Sequence, residues 1–273
     1  MMNKKCKFIQ AGNINFRIFD EGVGEPVLLL HGFPDSLLMW EEVANHLLAQ
    51  GYRVIAFDQR GYGESDMPEG KEHYKISALV DDVKNVLQVM GIEKPIHILS
   101  HDWGAIIGWG FALSYPVKVK SMVALSVGHP ASYAKAGLDQ KIGKGLYVIW
   151  FQFKYFAERY LLNGGFKRWG AAHPDIESVL EDMSRKGRLT AALNWYRANF
   201  IEGMLAKWSH CNVPTLGVWG SQDKHLTEAQ MKNSELYMKA HWEYRRLENT
   251  GHWLPLDKPK EIAELANDWF LKY

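Results

Sequence analysis

Cysteine is scarce. Only Cys6 and Cys211 occur in 273 residues, with no redox or metal-ligand spacing around them. A disulfide framework is therefore excluded, and free thiols in a reducing compartment are expected. Long apolar runs are also missing: stretches such as 27–30 fall far short of the ~18–20 residues that cross a bilayer, and no apolar stretch follows the basic residues 1–7 to suggest a signal peptide. Charge of one sign is lacking, since 32 Lys+Arg face 31 Asp+Glu for a formal net charge of +1. That balance argues against a nucleic-acid binder or a polybasic membrane surface. Repeats, low-complexity tracts, phosphate loops and cofactor fingerprints do not occur, and His241 and His252 lie too far apart for a helical metal pair. No cofactor and no metal are expected. What is present is an ordinary globular composition, 47% apolar and 23% charged, in a chain long enough to bury roughly 70–75% of its unfolded surface. The expectation is a soluble cytoplasmic protein, monomer or homodimer, with no nucleic-acid or membrane partner.

Before residue 128, short apolar runs at 15–20, 27–30, 53–57, 96–99 and 119–127 read as strands. Amphipathic stretches at 38–49 and 76–90, stopped by Gly51 and Gly91, read as helices between them, and a further helix starts near Ala105. From about Gly128 to Trp208 the strand signal vanishes, and 145–161, 176–183 and 189–200 read as helices rich in Trp, Tyr and Phe. The alternation then resumes with strands at 215–219 and 242–247 and helices near 227–238 and 260–270. Near-continuous apolar strands alternating with helices predict an α/β fold: a mostly parallel central sheet with helices on both faces. Residues 1–128 and 209–273 are expected to form the core, with 129–208 inserted in it as a helical cap. Trp40, Trp109, Trp219 and Trp269 read as core, and His129-Pro130 as the crossing into the insert.

The sharpest local signal is Ser100-His101-Asp102-Trp103-Gly104-Ala105, entered by an apolar strand and left by a small-residue helix. That is the context of a nucleophile elbow, whose tight turn demands small neighbours. Its centre is Asp102 rather than Ser; a carboxylate needs no activating base and can attack an electrophilic carbon directly to form an ester. The plainer alternative is an Asp capping the next helix. Two further residues weigh against that alternative. Asp223, in Gly220-Ser221-Gln222-Asp223, and His252, in Asn249-Thr250-Gly251-His252-Trp253, each follow a strand, at the sheet edge where open α/β sheets bind ligands. Of their neighbours, His101 reads as a buried, hydrogen-bonded side chain, and Lys224 and His225 as solvated loop.

The order nucleophile, acid, histidine is that of the α/β hydrolases. Asp58-Gln59-Arg60-Gly61-Tyr62-Gly63-Glu64-Ser65 resembles that superfamily's D-x-R-G-x-G-x-S loop. With His31-Gly32-Phe33-Pro34 and His101-Asp102-Trp103-Gly104, the chain from about 8 to 272 resembles the soluble epoxide hydrolases. The resemblance implies an α/β-hydrolase fold and an oxyanion hole built from the amides of Phe33 and Trp103. It also implies two cap tyrosines that hydrogen-bond the epoxide oxygen. Tyr147 in Tyr147-Val148-Ile149-Trp150-Phe151-Gln152 matches the family's Y-x-x-x-F-Q segment, and Tyr196 in Asn194-Trp195-Tyr196-Arg197 its N-W-Y-R segment. A phenol, with a pKa of about 10, can donate to the alkoxide of an opening ring while staying protonated at neutral pH. Asp102 would attack a ring carbon; His252, oriented by Asp223, would activate water to release a vicinal diol. Phe33, Trp103 and Trp150 are expected to line the substrate pocket. Trp150, Phe151, Phe153, Tyr155, Phe156, Trp169 and Trp195 together point to a small apolar or aromatic epoxide.

The alternative is a haloalkane dehalogenase, which shares the fold, the Asp nucleophile and the His. Halide departure calls for N–H donors, which the indoles of Trp103 and Trp150 could supply, but Phe33 stands where many dehalogenases carry a side-chain amide or carboxyl, and both tyrosines would lose their role. Fluoroacetate dehalogenases follow the nucleophile with arginines, where this chain has Trp103 and Ile106. A binding protein on a hydrolase fold would not need the intact set of Asp102, Asp223, His252 and two tyrosines.

Overall fold

The computed structural model describes residues 1–136, 144–169 and 172–273. Eight strands form one sheet: β1 (Lys7–Ala11), β2 (Ile14–Glu21), β3 (Pro26–Leu30), β4 (Arg53–Phe57), β5 (Ile96–His101), β6 (Val119–Leu125), β7 (Thr215–Gly220) and β8 (Trp242–Leu247). Their order is β1-β2-β4-β3-β5-β6-β7-β8, with β2 antiparallel to both neighbours and every other pair parallel. This is the α/β-hydrolase fold expected above. The unbroken apolar runs follow from burial on both sides: Leu28 and Leu30 join the core on one face, Val27 and Leu29 the core on the other. The unanticipated strand is β1, at the sheet's edge and mostly exposed, whose Lys7-Phe8-Ile9-Gln10 carries no clean alternation of apolar and polar residues.

On one face pack α1 (Glu41–Ala49) and, from the far end of the chain, α12 (Pro259–Phe270); on the other lie α2 (Ile76–Val89) and α3 (Trp103–Ser114). Between β6 and β7 the described residues contain helices and no strand: α4 (Pro130–Lys135), α5 (Leu146–Trp150), α6 (Phe156–Tyr160), α7 (Phe166–Trp169), α8 (Ile176–Ser184) and α9 (Arg188–Leu205). The imidazole of His129 caps α4, accepting from Ala131 N–H. The single helix read over 145–161 is interrupted between α5 and α6, where Tyr155 takes φ +69° and its N–H donates to Glu158 at 2.8 Å. The helix read at 227–238 is likewise shorter: α10 (Glu228–Lys232) tightens into a 3₁₀ turn, Asn233–Tyr237. After β8 comes α11 (Leu254–Asp257). Trp40, Trp109, Trp219 and Trp269 are buried.

The Asp58–Ser65 motif is structural. One Asp58 oxygen accepts from Leu37 N–H at 2.8 Å, the other from Glu64 N–H at 2.9 Å and from the Arg17 guanidinium at 3.1 Å. Gly63, at φ +48°, has no room for a side chain, since a Cβ would lie 2.0 Å from the Asp58 carboxylate. Arg60 holds buried Asp82 through two nitrogens, at 2.6 and 2.5 Å. Its carbonyl accepts from the Trp195 indole at 3.1 Å, which fastens α9 to the core. Among the described residues, no helix is long and apolar enough to cross a membrane.

Candidate active site

Asp102 sits between β5 and α3 with φ +51° and ψ −122°. This is sparsely populated backbone for a residue with a side chain, held only because the surroundings dictate it. A Cβ on Gly104 would stand 2.1 Å from the Leu30 carbonyl, and one on Gly32 would stand 2.5 Å from Asp102 Oδ1. Crowding on both sides thus accounts for the small residues and turns the carboxylate outward from the sheet edge. Gly32→Ala is expected to push that carboxylate aside and cut turnover about 10²-fold, the scale of a 1 Å misplacement. Steady-state kinetics beside a melting curve would show whether catalysis falls more than stability.

The Phe33 amide donates to Asp102 Oδ1 at 2.8 Å, and the Trp103 amide also hydrogen-bonds the carboxylate. Burial raises the pKa of this carboxyl, but the His252 contact, with His101 and the Trp103 amide, outweighs it and holds the group below the usual carboxylate value. His252 Nε2 is 3.6 Å from Asp102 Oδ2, and its Nδ1 is 2.8 Å from Asp223 Oδ2. The other Asp223 oxygen accepts from the amides of His225 at 2.7 Å and Leu226 at 2.9 Å, so the acid is fixed on both sides. Burial alone would depress His252, yet the flanking charges of Asp223 and Asp102 hold it up at about 10, making the imidazolium the resting form. The His252 carbonyl is anchored by His101 Nε2 at 2.9 Å and Ser126 Oγ at 3.0 Å. His101, driven down to about 4 mainly by burial, stays neutral for that purpose.

Tyr147 on α5 and Tyr196 on α9 line the same cavity of about 290 Å³ as Asp102 and Trp103. Their ring centroids are 6.1 Å apart, and burial pushes both phenols well above 10, so they stay protonated at neutral pH. The residues around Tyr196 explain its placement. Trp195 and Asn199 hydrogen-bond the core at the carbonyls of Arg60 and Tyr74. Arg197 ties α9 to the other tyrosine's neighbourhood, donating to the Phe151 carbonyl at 2.8 Å and to Glu158 at 2.7 and 3.0 Å.

Several expectations need correction. Trp150 does not line the cavity: it is 54% exposed and packs on Phe153 and Tyr160. Tyr147 and Phe151, one helical turn apart, face inward, and Trp150 falls about 100° away from Phe151 around the helix axis. Phe153, Tyr155 and Phe156 are exposed as well. The Phe33 amide reaches Asp102, but its ring is buried among Phe151, Phe166, Trp169 and Tyr196 and does not line the cavity. His225 is not solvated; it is buried, with its ring 5.0 Å from that of His252 and 4.7 Å from Trp169. Sequence reasoning missed Tyr133 on α4, which lines the cavity with its phenol pushed up to about 12 by burial and by Asp102. The only signal was its place soon after His129-Pro130. Among the described residues no His, Cys, Asp and Glu cluster could hold a metal ion.

A family description for the alpha/beta hydrolase fold matches residues 25–171. The chain is 31% identical to the AB hydrolase superfamily protein YfhM of Bacillus subtilis, covering 97% of each. It is 30% identical to epoxide hydrolase 4 of Homo sapiens over 91% of this chain and 73% of that protein. A crystal structure of an epoxide hydrolase from Vigna radiata superposes with a TM-score of 0.84 at 25% identity, covering all of both chains.

Proposed function

Because the chain belongs to the epoxide hydrolases of the α/β-hydrolase superfamily, we propose that it converts an epoxide and water to a vicinal diol through a covalent ester on Asp102. The observation that carries this reading is the pairing, in one cavity, of a carboxylate at a strained turn with two protonated phenols. Asp102 attacks a ring carbon while Tyr147 and Tyr196 donate to the departing alkoxide, and the C–O bond of the ring breaks as the ester bond forms. Ester formation removes one of the two negative charges that hold the proton on His252, so the ring can then give it up, replacing through solvent the proton that the phenols passed to the alkoxide. Neutral His252, oriented by Asp223, takes a proton from water as the water attacks the ester carbonyl. The oxyanion that develops on the Asp102 carbonyl oxygen meets the amides of Phe33 and Trp103. Collapse of that adduct breaks the ester C–O bond: the diol oxygen leaves with the proton of the His252 imidazolium, and the proton of the new carboxyl returns to His252, which restores the carboxylate and the imidazolium.

Residues 129–208, helical in their described parts, serve in this reading as a cap, set on a core of 1–128 and 209–273. The support is that Tyr147 and Tyr196 come from its helices and the triad from the sheet edge. Tyr133, Val148 and Ile106 make the cavity apolar in character, which supports a small apolar or aromatic epoxide. Free Cys6 and Cys211 fit a cytoplasmic residence. The dehalogenase alternative is not favoured: the relatives are epoxide hydrolases, and two phenols suit an alkoxide rather than a halide.

Tyr147→Phe and Tyr196→Phe are each expected to slow the alkylation step about 10- to 10²-fold, and the double variant more, within the range of general-acid contributions. Single-turnover assays with styrene oxide, measuring diol and adduct, would check this. Unchanged alkylation in the double variant, or halide release from bromoalkanes without any diol from epoxides, would overturn the reading.

A further inference from the structure

Trp150, Phe153, Tyr155, Phe156 and Tyr160 fall within eleven residues on α5, α6 and the turn between them, and each is 43 to 74% exposed. Scattered exposed apolar residues need no explanation, but a contiguous aromatic patch marks a contact surface. Trp150 bridges the patch, with ring centroids 6.3 Å from Phe153 and 5.7 Å from Tyr160. At its edge Ile149 is both half-exposed and part of the cavity lining beside Asp102, so the patch runs to the mouth of the active site.

Charge indicates what meets this face. From 144 to 174 the sequence carries five basic residues and one acid, Glu158. Glu158 is half-buried and taken up by Arg197 at 2.7 and 3.0 Å. Lys144 turns inward to the carbonyls of Asp223 and Leu226, and Lys167 pairs with Glu177. Lys154 and Arg159 are exposed within the aromatic patch itself, with the Lys154 ammonium 5.2 Å over the Tyr155 ring. Aromatic rings interleaved with cations match a membrane interface, where rings settle at the headgroup boundary and Lys and Arg reach up to lipid phosphates.

We propose that this aromatic and basic face docks the protein peripherally on an anionic lipid surface, with the active-site mouth opening at the interface. The expectation of no membrane partner rested on the lack of spanning runs and on the net charge of +1. Surface docking needs no spanning helix, and the overall balance conceals this locally basic face. The proposal does not depend on the reaction catalysed.

The test is sedimentation of the full chain with vesicles of phosphatidylcholine plus phosphatidylserine, compared with phosphatidylcholine alone. Preferential binding to the anionic vesicles, weakening as salt rises, is expected. Phe153→Ser/Phe156→Ser should weaken it about tenfold or more, since each ring leaves an apolar environment. Lys154→Glu/Arg159→Glu should abolish the anionic preference with an unchanged melting temperature, and this variant carries the test if the serine variant does not fold. Failure to bind anionic vesicles, or equal binding by wild type and both variants, would overturn the proposal. So would a concentration-dependent dimer in vesicle-free solution that the same substitutions dissociate, because the face would then be covered by a second copy.

Discussion

Asp102→Ala is expected to leave no diol formation above background, a loss on the order of 10⁴-fold or more, the scale seen when a covalent nucleophile is deleted from a triad. Among the described residues that line the cavity, Asp102 is the only carboxylate. Asp223 spends one oxygen on His252 and the other on the amides of His225 and Leu226, and Asp35 pairs with His173 at 3.0 Å. The substitution also removes one of the two anions beside His252. Its imidazolium should therefore lose its proton at a lower pH than in the wild type, where the pair of carboxylates holds it near 10. Measured diol formation by Asp102→Ala above a few per cent of wild type, in a protein that melts normally, would end the proposed mechanism. An NMR titration of His252 would follow the shift.

His252→Gln should stop the second half of the reaction while sparing the first. Alkylation needs ionised Asp102 together with the tyrosine donors; the variant loses the His252 contact that lowers the Asp102 pKa, but the amides of Phe33 and Trp103 still hold the carboxylate, so the ester should form and persist. Ring opening expels no leaving group. Intact-mass analysis should therefore show an adduct equal to the whole substrate mass, whereas a haloalkane would leave its alkyl group alone. Diol release should fall by a factor on the order of 10³ or more, the range reached when a triad base is removed. In the wild type the same logic sets a sign for pH: hydrolysis of the ester requires neutral His252, so it should rise with pH, while alkylation, needing the carboxylate and protonated phenols held well above 10, stays flat from above the acid range through neutral pH. Rapid turnover by His252→Gln with no adduct would show that the imidazole is not the base.

Signals made by short, local patterns were the readable ones. The strand-turn-helix around Asp102, the glycines that crowd it, and the positions of Asp223 and His252 just past strands all stand within a few residues of the feature that identifies them. The parallel sheet was legible because burial on both faces leaves runs such as 27–30 wholly apolar. Edge strand β1 was not, because half-exposed pairing leaves little pattern. The interrupted helix at 145–161 was also hidden. Aromatics at so many of its positions erase the 3.6-residue contrast from which a buried face is read, and the break rests on Tyr155 adopting φ +69° beside Glu158.

The amino-acid sequence by itself determined the fold class and pointed to the carboxylate at the tight turn with its acid and histidine candidates, because each depends on residue type and on spacing to neighbours in the chain; the two tyrosines came from the resemblance to the epoxide hydrolases. Tertiary packing alone decided which aromatic side chains face the cavity: Tyr147 in and Trp150 out, Phe33 offering its amide and burying its ring, His225 drawn against His252. Those outcomes turn on contacts between residues far apart in the chain, such as Arg197 with Phe151 and Trp195 with Arg60. Side-chain direction in an aromatic-rich helix is set by what packs against it, not by the order of its letters.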